Sequence, residues 1–172
     1  VVVGSLILTC SLLFMASDYS TRSDEAAAIK VGVNLKKMQY EIQVADIGTT
    51  IEDIIKEQEE FKPFLTEQGY VVFAANRQSA IATGHAMKNK LNMKVKHIEF
   101  ENMNQDNMEK DTFSFRYSID IELSPSGLNY SSWRVSVVTK TGQMSVVKQN
   151  DEWKVLKDLD NGFIADILSK MM

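Results

Sequence analysis

The sequence predicts an α+β fold, and three observations predict it. Residues 112–123 read TFSFRYSIDIEL, in which Phe113, Phe115, Tyr117, Ile119, Ile121 and Leu123 alternate with polar residues. That is the period of a strand with one buried and one wet face. Upstream, residues 50–91 carry helical spacing and helix-start signals. Downstream, residues 130–159 hold short alternating runs separated by turn dipeptides, the pattern of an antiparallel meander. A long apolar strand face needs a cover, which the helices before it and the strands after it can supply.

A chain of 172 residues fits one folded domain with appendages. Hydrophobic residues at 44% and charged ones at 24% exclude a disordered chain and a polytopic membrane protein. A net charge of −4 argues against a nucleic-acid partner, which needs a basic face to neutralise phosphates. Cys10 is the only cysteine and there are two histidines, so neither a disulfide framework nor a metal site is expected. Nor does any cofactor motif occur: the chain has no phosphate-cradling glycine loop and no His-Glu-x-x-His.

Residues 1–16, VVVGSLILTCSLLFMA, form an uncharged apolar run. They predict a membrane anchor, with two alternatives: a lipoprotein acylated at Cys10, or a cleaved signal ending at Ala16. Residues 17–35 then read as a polar linker, and 36–172 as a single α+β domain. The linker carries Asp18, Arg22, Asp24 and Glu25 without an excess of basic residues, which puts the domain on the extracytoplasmic side.

Within the domain, Met38, Tyr40, Ile42 and Val44 alternate with polar residues and predict a first strand over 36–45. Thr50 and Asp53 have the spacing of a capping box, so a helix starts there with Ile51, Ile54, Ile55, Gln58, Phe61 and Leu65 along its inner stripe. Pro63 stops it. A second helical stretch follows from 66 to 91, broken near Asn76, with Tyr70, Phe73, Ile81 and Met87 as core contacts and Gly84 as a weak point. In the strand over 94–103, Val95 and Ile98 fall on opposite faces, which predicts a bulge or an edge position. After the long strand come 130–140, with Trp133, Val135 and Val137 in alternation, a turn at Thr141-Gly142, a return over 143–148, a turn at Asn150-Asp151 and a last strand over 153–159. A short helix is expected over 161–172.

Helices first, then antiparallel strands ending in Asn150-Asp151-Glu152-Trp153-Lys154-Val155, resemble the nuclear-transport-factor-two-like, or ketosteroid-isomerase-like, superfamily over residues 50–159. The phrases FLTEQGY at 64–70 and ANR at 75–77 also resemble small anchored or secreted proteins of Gram-positive bacteria. The superfamily resemblance implies helices packed in the concave face of a curved antiparallel sheet, forming a cone. Its members include enzymes, small-ligand binders and extracytoplasmic domains of secretion components, so the fold alone does not choose a function.

Were the cone catalytic, the resemblance would point to an Asp, Tyr or His inside it, and the candidates are Tyr117, His97 and Asp120, with His85 behind them. Alternation splits them, because Tyr117 shares the apolar face whereas Asp120 shares the wet one. Tyr70, Phe115, Tyr117 and Trp133 are the candidates for lining a cavity. Lys88, Lys90, Lys94 and Lys96 form a basic cluster suited to an anionic surface. The reading that follows is a membrane-tethered, extracytoplasmic, non-catalytic interaction module that binds a protein partner in a cell-envelope or secretion assembly. The alternative is a small-molecule binder or a lyase or isomerase using the cone.

Overall fold

The long strand expected around residue 117 runs from Thr112–Pro125 as β2, an inner strand of a curved four-stranded antiparallel sheet. The computed structural model describes the backbone of residues 3–48, 50–103, 111–127 and 135–161, with side chains described from residue 22 to residue 160 of those spans. The elements are α1 (Val3–Tyr40), α2 (Ile51–Glu59), α3 (Glu67–Ala75), α4 (Gln78–Asn89), β1 (Leu91–Asn102), β2, β3 (Ser136–Gln149) and β4 (Glu152–Asn161). The strands pair in chain order, β1-β2-β3-β4. Helices first and sheet second is the α+β architecture that the sequence predicts. Trp133, the loop at 104–110 and residues 162–172 of the expected last helix lie outside the described residues, and Asn161 ends β4.

Two stretches differ from expectation in secondary structure. The first is 17–45, read as a linker and a strand, which is helical through Tyr40. Ala28, Gly32, Leu35, Lys36, Gln39 and Tyr40 are buried at spacings of four, three, one, three and one, the stripe of a helix lying on the sheet. Lys36 and Gln39 in that stripe hide it, because an inward polar residue breaks the apolar period. Of the expected strand only Ile42 pairs, exchanging backbone hydrogen bonds of 2.9 and 2.8 Å with Met93. Among the described residues no helix is long and apolar enough to cross a membrane, and the side chains of the apolar run at 1–16 lie outside the description.

The second difference is Thr141-Gly142, which is no turn: β3 passes straight through it. Gly142 sits opposite Tyr117, and a Cβ there would come within 2.2 Å of the tyrosine oxygen. The glycine is needed so that the Tyr117 ring can cross β3, a close approach rather than a bend. The buried residues of β3 are accordingly Val138, Lys140, Gly142, Met144 and Val146, whereas Val135 and Val137 face solvent.

The remaining elements follow local chemistry. At α2, Thr50 Oγ1 accepts from the Asp53 amide and Asp53 Oδ2 from the Thr50 amide, both at 3.1 Å, completing the capping box. At α3, Thr66 Oγ1 caps the Gly69 amide at 2.9 Å, and Gly69 lies so close to β4 that a Cβ would meet the Val155 carbonyl at 2.5 Å. The β3–β4 hairpin turns on Asn150 and Asp151, both with positive φ, as a tight two-residue connection requires. β1 is an edge strand, and its pairing slips between Val95 and His97, so the expected bulge falls at Lys96.

Helix α4 buries Ser79, Ala82 and Ala86 rather than Ile81 and Met87, and Phe73 is the buried residue of α3 beside Gly69. Nothing lies within 4 Å of where a Gly84 Cβ would project. Gly84→Ala is therefore expected to stabilise the domain by about 1 kcal/mol, whereas Gly142→Ala, which must displace Tyr117, should destabilise it. Chemical melts of the two variants check this, and a stability loss in Gly84→Ala would contradict the open environment described.

Candidate functional site

The polar groups of the interior gather where α1 crosses β2, β3 and β4. Lys36 Nζ lies 2.7 Å from Asp158 Oδ2 and 3.6 Å from Asp160 Oδ2. It also donates to Gln39 Oε1 at 3.1 Å. Lys140 Nζ, from β3, stands 3.0 Å from Asp160 Oδ1, within ion-pair distance although Oδ1 receives no hydrogen bond of good geometry. Tyr117 donates to Asp158 Oδ1 at 3.0 Å, and the Tyr40 hydroxyl donates to Asp160 Oδ2. Gln78 of α4 donates to the Asp158 carbonyl at 3.3 Å and receives the Gln39 amide on its own carbonyl at 3.3 Å. Two lysines and two aspartates thus balance, and both tyrosine rings lie beneath the ammonium groups, with Lys36 Nζ 4.6 Å from the Tyr117 centroid and Lys140 Nζ 5.2 Å from that of Tyr40.

A bulge puts the carboxylates there. The β3–β4 register slips between Ser145 and Val146, leaving Leu156 unpaired. Before the bulge Trp153 and Val155 point inward; after it the parity reverses, so that Asp158 and Asp160 face the core while Leu159 is exposed. Plain alternation from Trp153 would have put Lys157 and Leu159 inside. Sequence reasoning misses Asp158 and Asp160 for that reason, Lys36 and Tyr40 because 36–45 reads as a strand, and Lys140 because alternation from Trp133, Val135 and Val137 puts it on the other face. The one available signal was the conflict in β4 itself, whose strict alternation would bury a lysine and expose two aspartates beside an apolar core.

Burial, followed by the charges of Asp158 and Asp160, pushes the Tyr117 phenol far above the ordinary tyrosine range. Burial and then Asp160 do the same to Tyr40. Lys140 is pushed down, by burial first, with Asp160 opposing. A phenolate here would stand beside two carboxylates, so Tyr117 is a poor acid. Asp158 is equally occupied, holding an ammonium and a hydroxyl. The arrangement suits a structural network of paired charges better than proton transfer.

It also sets a pH dependence. In the unfolded chain both phenols ionise near their ordinary value of about 10, whereas in the folded domain they keep their protons well above it. The folded state then binds more protons, so stability is intact below about pH 10 and falls above it, by about 1.4 kcal/mol per pH unit for each tyrosine. Lys140 acts in the opposite sense, since its folded value lies below its unfolded one, and its gain ends near the ordinary lysine value. Urea melts between about pH 10 and 11.5 should show the decline, and Tyr117→Phe or Tyr40→Phe should about halve its slope; a flat profile would contradict it.

The sequence candidates are dispersed. Tyr117 and Phe115 are buried. Tyr70 is half-buried at the surface under Lys62, 5.1 Å from its ring, and 3.4 Å from Glu59. His97 and Asp120 are cross-strand partners on the outer face of the sheet. There His97 contacts Glu99 at 2.8 Å, which raises its pKa, and Asp120 accepts from Thr139 at 2.6 Å. His85 is half-buried on α4, its pKa lowered by burial and then by Lys88. Lys88, Lys90, Lys94 and Lys96 are exposed, and Lys96 pairs with Glu122 at 3.1 Å. None of these outer residues approaches the Asp158 and Asp160 carboxylates.

By sequence the chain matches no family model and no curated protein. By structure it is similar to a periplasmic fragment of TraM, at TM-score 0.52 and 8% identity over 79% of this chain and 96% of that one. It is similar also to an IcmL-like type IV secretion system protein from Legionella pneumophila, at TM-score 0.54 and 8% identity over 80% of this chain and 90% of that one. The chain has their fold. At 8% identity the likeness reaches no individual side chain. The likeness to Gram-positive proteins rests on the phrases at 64–70 and 75–77 alone.

Proposed function

We propose that this chain is a non-catalytic interaction module, tethered to the cell membrane by residues 1–16, with its domain on the extracytoplasmic side and a protein partner in an envelope or secretion assembly. The observation that carries the reading is the mutual pairing of the interior polar groups: Asp158 and Asp160, the carboxylates facing Tyr117 and Tyr40, already hold Lys36, Lys140 and both phenols. A general acid or base needs a group free to exchange a proton with a bound substrate, and these are committed to one another. Fold likeness to an IcmL-like type IV secretion system protein supports the assembly role. The apolar run and the acidic flank after it support the tether and the orientation.

The alternative, a small-molecule binder or a lyase or isomerase, draws on the 3.0 Å contact between Tyr117 and Asp158. Tyr117→Phe separates the two. In a contact module the variant keeps its function and loses only about 1.5–3 kcal/mol, the worth of a hydrogen bond to a charged acceptor. An enzyme using Tyr117 would lose on the order of 100-fold or more in turnover with the fold unchanged. Cross-linking the full chain in its own cells supplies the functional readout: a defined heteromeric product in the envelope fraction, retained by Tyr117→Phe, is expected. A functional chain that yields no heteromeric product would overturn the reading.

A further inference from the structure

Among the described residues one buried side-chain oxygen accepts no hydrogen bond, and it is the atom that Lys140 Nζ faces at 3.0 Å: Asp160 Oδ1. Buried acceptors are nearly always satisfied, so an exception asks for a physical reason. The two side chains are only 4% and 15% exposed. They meet diagonally across β3 and β4, since the residue paired with Asp160 is Gly142. The neighbouring pair is built differently. Lys36 donates to Asp158 Oδ2 at 2.7 Å and to Gln39 Oε1 at 3.1 Å, so well-formed hydrogen bonds hold its ammonium in place. Lys140 instead touches its carboxylate off the line of a hydrogen bond.

An amine held against a carboxyl group in a dry interior has the geometry from which an amide forms. In water the ionised pair outlasts the amide because both charges are solvated; burial removes that solvation and favours the neutral amine and acid. Burial pushes Lys140 down, with Asp160 opposing, and a desolvated lysine is a nucleophile. Fixed contact also replaces a bimolecular encounter. On the other carboxyl oxygen, Asp160 Oδ2, Tyr40 donates its hydroxyl and Lys36 Nζ stands 3.6 Å away, so negative charge developing there is stabilised. We propose that Lys140 and Asp160 condense into an isopeptide bond, a covalent staple between β3 and β4. The Nζ lone pair forms the C–N bond to Asp160 Cγ, the bond from Cγ to Oδ1 breaks with its electron pair leaving on the oxygen, and the two protons lost by the ammonium complete a molecule of water. Oδ2 remains as the amide carbonyl under the Tyr40 hydroxyl. No oxidant, cofactor or second substrate is needed. The unsatisfied oxygen departs, and the remaining charges balance as Lys36 with Asp158. Lys140 then no longer titrates, and the two phenols alone set the alkaline profile. Cys10 is the only cysteine, so no disulfide within the chain supplies such a closure. The bond forms once per chain and is not a turnover, so it goes beyond the interaction-module reading and does not depend on it.

Mass spectrometry of the full chain, purified folded and then denatured, tests this directly. The wild-type mass is expected to fall about 18 Da below the sum of its residues, one water lost. Tryptic digestion should leave the bond after Lys140 uncut and yield a branched peptide that joins the fragment holding Lys140 to the one holding Asp160. Lys140→Arg keeps the positive charge but offers a guanidinium that stays protonated, so its full sequence mass should return. Asp160→Ala should return the full mass as well. The wild-type result decides the matter whether or not these variants fold. A folded wild-type chain that keeps its full mass after prolonged incubation at neutral pH would overturn the proposal. So would a lost water that maps to a single linear peptide, as dehydration of an aspartate against its own backbone gives, or one that Lys140→Arg retains.

Discussion

Lys36→Ala is expected to destabilise the domain by about 3–5 kcal/mol, the cost of breaking a buried ion pair by removing one partner. The ammonium is fully buried and faces Asp158 at 2.7 Å and Asp160 at 3.6 Å. Without it, two buried carboxylates share Lys140 alone, and Asp158 keeps only the Tyr117 hydroxyl. The variant also loses the alkyl stem that α1 lays on the sheet, and the cation over the Tyr117 ring. Lys36→Met restores the stem without the charge and should remain strongly destabilised, which separates the electrostatic loss from the packing loss. Urea melts of both variants measure it, and a loss within about 0.5 kcal/mol, as for an ordinary surface site, would contradict the buried network.

Phe115→Ala should cost a similar amount, about 3–5 kcal/mol, through a cavity left in the core. Phe115 is fully buried in β2, edge-on to Phe100 at 5.7 Å and stacked with Phe113 at 5.8 Å. Its neighbour Ser114 points to the opposite face, and Ser114→Ala should change stability by no more than about 0.5 kcal/mol. Small and equal effects from the two would contradict the inward assignment of this strand.

The fold class was legible because its strongest signals are local. Period-two alternation in 112–123, the Thr50 and Asp53 capping box, the break near Asn76 and the clash of parity between Val95 and Ile98 each report a short-range rule, and each matches the structure. What escaped notice depends on residues distant in sequence. Gly142 reads as a turn until Tyr117 is seen to lie across it. Lys36 reads as a surface lysine until Asp158, 122 residues away, is brought against it. The isoleucines of α2, exposed in the structure, read as core because an apolar stripe marks a helix face without saying what lies against it. The inward carboxylates depend on one unpaired residue, Leu156, and a one-residue slip reverses every side chain after it.

The most direct test of the claim that the interior is structural and the chain works by contact is the double variant Lys36→Met with Asp158→Asn. It removes one charge of each sign, keeps Lys140 with Asp160, and leaves an amide oxygen to accept the Tyr117 hydroxyl. A buried pair replaced as a pair costs far less than either half removed alone, so the double variant should be more stable than the sum of the single losses by about 0.5–3 kcal/mol. Its heteromeric cross-linked product should match that of the wild-type chain. A double variant that folds and still loses that product would contradict the claim and return the interior to chemistry.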